Sequence, residues 1–161
     1  ETVKLDGVYD ALISILPANG NPNRRLAESN LKPRLRMATA YFFANRLNYL
    51  VIGASNRCEL GIGYFTKYGD GGVDVMPLGN LVKSQVREMA QYLGIPQVII
   101  NKPPSAGLWV GQTDEQEMGL TYEQLDMYFT TCEAEEQVRR KIEERAARNA
   151  HKRMTPPIPP F

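Results

Sequence analysis

Apolar residues recur at helical spacing over Val8–Ile15, at Val8, Leu12, Ile13 and Ile15, just after Thr2–Leu5, which alternates like a short strand. Pro17-Ala18-Asn19-Gly20-Asn21-Pro22 breaks the pattern and reads as a loop. Ser29 or Asn30 can cap the next helix, which runs to about Asn48 with Pro33 in its first turn, where a missing N–H is harmless. Met37, Ala40, Tyr41, Ala44 and Leu47 form its apolar stripe. Tyr41, Phe42 and Phe43 follow one another on this helix and point about 100° apart, so they cannot all face one core. One of them faces a partner subunit or a helix packed on the other side. Tyr49–Ala54 is a nearly continuous apolar run, the signature of a strand buried in a parallel sheet.

The second half begins with an irregular glycine-rich loop, Tyr64–Gly72, and a short extended piece, Val73–Met76. Asn80 is the expected cap of a helix ending at Leu93, with Gly94 beyond its end and Pro96 after that. Asn101–Asp114 reads as a loop with two prolines and the lone Trp109. Thr121 and Gln124 form a capping box for a helix through Tyr128, and Glu133–Asn149 is a highly charged helix. Residues 155–161 are a proline-rich surface tail. Strand–helix alternation predicts an α/β fold with a parallel sheet flanked by helices. Only two or three strands are visible, too few for a complete doubly wound sheet, so N-terminal strands are expected to be missing. The opening Glu1-Thr2-Val3-Lys4-Leu5 likewise reads as the interior of a protein.

Composition narrows the function classes. The chain of 161 residues fits one domain with a real core. Its formal net charge of +1 gives no electrostatic case for nucleic acid or an anionic membrane as partner. Two cysteines, Cys58 and Cys132, are neither a disulfide framework nor a zinc pattern, and reduced thiols in a cytoplasmic protein are expected. No apolar run approaches the ~20 residues needed to span a bilayer, and no signal-peptide pattern is visible.

Chemistry concentrates in Gly53–Asp74, which follows the apolar run and carries Glu59, Lys67, Asp70 and Asp74 among several glycines. Glycine lets backbone N–H groups approach a ligand, lysine supplies a point charge, and carboxylates hold Mg²⁺ together with a substrate phosphate. The block could therefore host a nucleotide at the carboxyl end of a strand. It could equally be a tight surface turn beside a solvated helix, because a lone glycine-rich stretch is a weak signal.

Gly63-Tyr64-Phe65-Thr66-Lys67-Tyr68-Gly69-Asp70-Gly71-Gly72-Val73-Asp74 resembles the long signature of NAD synthetases. Asn30-Leu31-Lys32-Pro33-Arg34-Leu35-Arg36-Met37 is similar to that family's Asn-x-x-x-Arg-x-Arg-Met helix start, and Glu59 sits at its Asn-x-x-Glu position. The spacing onward to Lys83, Ser105 and His151-Lys152 also matches, so the resemblance runs from about Thr2 to Met154. It implies an adenine-nucleotide α-hydrolase-like, Rossmann-like domain of which residues 1–161 are the C-terminal part. It implies an amide ligase that adenylates the carboxylate of deamido-NAD with ATP and Mg²⁺, then lets ammonia displace AMP. The ammonia is free or comes from glutamine through another domain, and a homodimer is implied. Position by position, the resemblance assigns Arg34, Lys67, Asp74, His151 and Lys152 to deamido-NAD. It assigns Ala54, Lys83 and Ser105 to ATP, and Glu59 to Mg²⁺.

Two departures stand out. Ala54 occupies a position where many members have a threonine that bonds ATP, so only its backbone can serve here. The family's Ser-Gly-Gly-x-Asp-Ser loop, which cradles the ATP pyrophosphate, is absent from these residues. A non-catalytic nucleotide-binding module and a related ATP-pyrophosphatase amide ligase therefore stay open beside NAD synthesis.

Overall fold

The structure is a computed structural model that describes residues 2–17, 20 and 22–160. Of the expected 17–22 loop, Ala18, Asn19 and Asn21 lie outside the described residues. The chain divides into two compact units.

The first unit comprises the chain through Gly53 together with Thr66–Val75 and Gly107–Val110. It holds α1 (Asp6–Ile15), α2 (Arg24–Ser29) and α3 (Leu31–Leu47), with both α1 and α2 packed on α3. Asp6 places a carboxylate at the positive end of α1. The expected cap at Ser29 or Asn30 is not formed, because residues 24–29 already form α2 and Asn30 is itself helical, leaving its side chain no capping geometry. α3 ends at Asn48, which takes the left-handed conformation at φ 56°, and Tyr49 N–H bonds back to the Ala44 carbonyl. Buried Pro33 lies in the first turn as expected. Lys32 donates to the Leu108 carbonyl at 2.6 Å, and Arg25 covers the Trp109 ring at 4.6 Å, which ties residues 107–110 to this helical layer.

The strands differ from expectation. Thr2–Leu5 is irregular, and Tyr49–Ala54 contributes a single parallel bridge, Ile52 to Val75, flanked by hydrogen bonds from Gly53 N–H to Val75 O and from Asp74 N–H to Val51 O. Leu50 and Ile52 are 68% and 69% exposed. An apolar run is buried as a parallel strand only where neighbouring strands and helices cover both sides. Among the described residues it has one neighbour, Asp74–Val75, so the pattern is present without the sheet.

The second unit comprises Ala54–Phe65, Met76–Ala106 and Gly111 onward. It contains α4 (Arg57–Ile62), α5 (Lys83–Tyr92), α6 (Gln97–Ile100), α7 (Asp114–Met118), α8 (Tyr122–Thr131) and α9 (Glu136–Arg148), then a 3₁₀ turn, Ala150–Lys152. Cys58 and Ile62 of α4, Val82, Met118, Leu120, Tyr122 and Leu125 of α8, and Ile142 of α9 form one buried cluster. Gly61 lies against the Phe129 ring, where a Cβ would have no room. The Thr121–Gln124 capping box forms as expected, and Gly94 takes φ 68° after α5. The α5 start is corrected from Asn80 to Lys83, since residues 77–80 turn and the chain reaches helical geometry only after Val82. α6 and α7 arise where the sequence pattern assigns no element, α7 starting at the last residue of the expected 101–114 loop, and both are too short to show a helical period. Residues 155–160 are exposed and irregular.

Leu125 is fully buried in this cluster, whereas Met127, two residues on, is 51% exposed. Leu125→Ala should lower the unfolding free energy by about 2–5 kcal/mol, and Met127→Ala should change it by no more than about 0.5 kcal/mol. Urea unfolding followed by circular dichroism checks this, and equal losses would contradict the assigned core.

Candidate functional site

In the second unit the N-terminus of α4 is built by its own first residues. The Asn56 side chain accepts from the N–H groups of Cys58 and Glu59 at 2.9 and 3.0 Å. Glu59 reaches back, its Oε2 accepting from Asn56 N–H at 3.0 Å and its Oε1 from Asn56 Nδ2 at 2.7 Å. This reciprocal cap holds the carboxylate in one orientation. Tyr122 Oη donates to the same Oε1 at 2.9 Å, and Lys83 Nζ lies 3.7 Å from it. The Lys83 ammonium also sits 4.7 Å from the Tyr122 ring centroid. The Lys83 and Glu59 side chains are only 20% and 16% exposed, so water screens the pair little.

The network continues inward. Tyr122 Oη is also 3.0 Å from Asp114 Oδ2. Tyr64 Oη lies 3.1 Å from Asp114 Oδ1 and 2.8 Å from Glu117 Oε2. Burial first, then the neighbouring Glu59 and Asp114 carboxylates, pushes the Tyr122 phenol far up. Burial and the Glu117 hydrogen bond do the same for Tyr64. Both therefore stay protonated donors, and each forms a full hydrogen bond with one carboxylate at a time, having one proton to give.

The C-terminal end of α4 is satisfied from afar. Asn149 Nδ2 donates to Ile62 O at 3.0 Å, Lys152 Nζ to Gly63 O and Phe65 O at 2.8 Å each, and Arg153 to Leu60 O at 3.2 Å and to Gly61 O. Leu60, Gly61 and Ile62 belong to the last turn of α4, where carbonyls lack intrahelical partners, Gly63 and Phe65 follow it, and cations there complement the helix dipole. Lys152, assigned by resemblance to deamido-NAD, thus has two donors on backbone carbonyls. Ala54, Ser105 and His151 occupy exposed positions of the second unit outside the Glu59–Lys83 pair.

In the first unit, α3 and the Thr66–Asp74 loop gather the other three nominated residues. Arg34 directs Nε and Nη2 at the Lys67 carbonyl over 3.4 and 3.3 Å. The Lys67 ammonium lies 5.2 Å from the Tyr68 ring centroid. Asp74 is held at both oxygens, accepting from Tyr41 Oη at 2.9 Å and Val51 N–H at 2.8 Å. The loop is closed by Thr66, whose hydroxyl donates to Asn30 Oδ1 at 2.8 Å and whose N–H donates to Asp70 at 3.0 Å. A Cβ on Gly69 would meet Thr66 and Pro33 at 3.0–3.1 Å, so glycine there permits the tight packing of loop on helix.

No sequence signal marks Tyr122 or Asp114 for the site, and Tyr41 and Tyr64 are legible only as a helix-stripe residue and a member of the glycine-rich motif. Tyr122 lies 63 positions from Glu59, and no local pattern links them. Only the Thr121 capping box, which places Tyr122 in a first helical turn, offered any signal.

Comparison with known proteins gives the family. The family model described as NAD synthase matches residues 1–156. The NH(3)-dependent NAD(+) synthetase of Carboxydothermus hydrogenoformans is 52% identical over 159 residues, covering 98% of this chain and 65% of that protein. The NMN synthetase structure from Francisella tularensis superposes with a TM-score of 0.93 at 40% identity, covering all of this chain and 66% of that one. The NH3-dependent NAD synthetase of Campylobacter jejuni, solved with nitrate, gives a TM-score of 0.73 at 28% identity over 98% of this chain and 64% of that one. The fold class is thus the adenine-nucleotide α-hydrolase-like one of these neighbours. The chain belongs to the NAD synthase family. It spans about two-thirds of the length of the relatives it matches.

Cys58 is buried and Cys132 exposed. Burial, reinforced by the hydrogen bond to Asp126, pushes the Cys58 thiol up to about 12. At pH 8 a disulfide-exchange reagent should label Cys132 alone in the native chain and both thiols in denaturant, since the thiolate is the nucleophile. Two fast equivalents in the native state would contradict the Cys58 environment. Because this pKa is raised on folding, its contribution to stability is full below the unfolded value near 8.5 and fades as pH climbs toward 12.

Proposed function

We propose that the protein of which this chain forms part or all amidates deamido-NAD to NAD, using ATP and ammonia. The observation that carries the reading is the Glu59–Lys83 pair: a carboxylate held by a reciprocal cap with an ammonium 3.7 Å away. The 52% identity to an NH(3)-dependent NAD(+) synthetase supplies the reaction.

A carboxylate is a poor electrophile. Adenylation converts it to an acyl-AMP and releases pyrophosphate; ammonia then attacks the acyl carbon, AMP departs, and a proton is lost as the amide forms. The protein's task is positioning and charge stabilisation. Lys83 supplies positive charge to the ATP phosphates, joined by Ser105 and the Ala54 backbone. Arg34, Lys67 and Asp74 of the first unit contact deamido-NAD in this reading, and the resemblance assigns His151 and Lys152 to the same substrate. For Lys152 the bonds to Gly63 and Phe65 support a role in shaping the backbone beside the ligand as well.

Among the described residues no three histidine, cysteine or carboxylate groups are arranged to hold a metal. Mg²⁺ is usually bound by one or two carboxylates, substrate phosphates and water. Glu59 fits as such a ligand: Oε2 accepts one hydrogen bond and keeps lone-pair capacity. When bound, the metal shields polyphosphate charge and orients it. The bridge at Ile52–Val75 and the apolar Tyr49–Ile52 run support a parallel sheet in the whole protein, and the 65% share of the Carboxydothermus relative that the chain spans supports the reading of residues 1–161 as part of a longer domain. The exposed Phe42 supports a homodimer contact, and free cysteines suit the cytoplasm. No helix among the described residues is long and apolar enough to cross a membrane.

A second reading concerns the acceptor. The superposition on an NMN synthetase, at a TM-score of 0.93, favours the mononucleotide acid as substrate of the same chemistry. The protein expressed from its complete reading frame and assayed with ATP, Mg²⁺ and ammonia should convert deamido-NAD to NAD with stoichiometric AMP and pyrophosphate. Glu59→Ala should lower the rate on the order of 10²-fold or more. Faster turnover of the mononucleotide acid would select the second reading. Absence of amide product from either acceptor, or full activity of Glu59→Ala, would refute the assignment.

A further inference from the structure

Helix α5 starts without a cap of its own. Its N-cap position is Val82, which has no polar side chain, and only the Val82 N–H is met locally, by Gln85 Oε1 at 3.1 Å. The next two N–H groups are met from another helix. Asp126 of α8 accepts from Lys83 N–H at 2.9 Å through Oδ1 and from Ser84 N–H at 2.7 Å through Oδ2. Its Oδ1 also accepts from the Cys58 thiol of α4 at 3.1 Å. One half-buried carboxylate therefore joins three helices. Burial alone would raise its pKa, but the Cys58 thiol and the Ser84 and Lys83 N–H groups outweigh burial and hold it below the usual aspartate value.

The residues it grips are informative. Lys83 is the first residue of α5, and Cys58 directly precedes Glu59. The ammonium that faces the carboxylate over 3.7 Å thus belongs to a residue whose own N–H bonds Asp126, and the carboxylate to the residue next to the cysteine whose thiol does. A helix start without a local cap frays readily, and a frayed first turn of α5 would carry Lys83 away from Glu59.

We propose that Asp126 is a positioning residue: by clamping the start of α5 and the Cys58 turn of α4, it sets the separation of Lys83 from Glu59 and so the grip on the nucleotide phosphates. It touches neither ATP nor metal. The proposal rests on the functional reading above.

The test uses the complete protein and reads ATP half-saturation and kcat separately. Asp126→Ala should raise the ATP half-saturation about 10–100-fold, the range for partners that orient ligating groups, and leave half-saturation by the acid substrate near its wild-type value. Asp126→Asn retains an acceptor oxygen and should fall between Asp126→Ala and wild type. Cys58→Ala removes one donor and should give a smaller rise in the same direction. Leu125→Ala is the comparison for a general loss of packing: it sits beside Asp126 in α8 and shares the buried cluster with Val82 and Cys58 but removes no hydrogen bond to α5, so its ATP half-saturation should rise less than that of Asp126→Ala. If Asp126→Ala does not fold, Asp126→Asn and Cys58→Ala carry the test. Folded variants with wild-type ATP half-saturation, or a rise equal to that of Leu125→Ala, would overturn the proposal while an active wild type leaves the functional reading standing. A wild type that forms no amide overturns both.

Discussion

The six-residue helix α4 cannot satisfy its own backbone, and the residues of its cap together with three side chains of the C-terminal segment do so for it. A helix that short is all termini: its first N–H and last C=O groups have no partners within it. At the N-terminal end Asn56 and Glu59 close a reciprocal cap. At the C-terminal end Asn149, Lys152 and Arg153 reach the carbonyls from Leu60 to Phe65. Along its buried face Cys58 and Ile62 are wholly covered. Such a helix is a rigid mount, and the residue it presents is Glu59.

The carboxylates around this mount need donors, and two tyrosines supply them. Tyr122 and Tyr64 are amphipathic: Tyr122 packs in the apolar cluster and Tyr64 packs against it, while both hydroxyls stand among Glu59, Asp114 and Glu117. Burying three acids together would be unfavourable without these donors, since an unpaired buried charge is expensive. The same hydroxyls order the acids into fixed positions, so stability and preorganisation come from one set of bonds.

The first unit uses another device for a related end. Its loop from Thr66 to Asp74 is held to α3 by Thr66 on Asn30 and Tyr41 on Asp74, with Gly69 permitting the close approach. Arg34, Lys67 and Asp74 are thereby brought to one helix–loop junction. Arg34, Asp74 and Lys152 are restrained by bonds to backbone or to a neutral hydroxyl, whereas Glu59 and Lys83 face each other as an ion pair.

The local signals in the sequence determined a good deal: the helix over residues 31–47, the Thr121–Gln124 cap, the stop after α5 at Gly94 and the family itself through the Gly63–Asp74 motif. These depend on neighbours within a turn or a contiguous loop, which is the range over which sequence pattern is informative. Tertiary structure decided the rest. The apolar Tyr49–Ile52 run forms one bridge, because burial of a strand depends on partners that local pattern cannot supply. The α5 start moved to Lys83, because its capping carboxylate, Asp126, lies on another helix. The partnership of Tyr122 with Glu59 was illegible for the same reason: hydrogen bonds are made by proximity in space, and only the packing of α4, α5 and α8 brings those atoms within 3 Å.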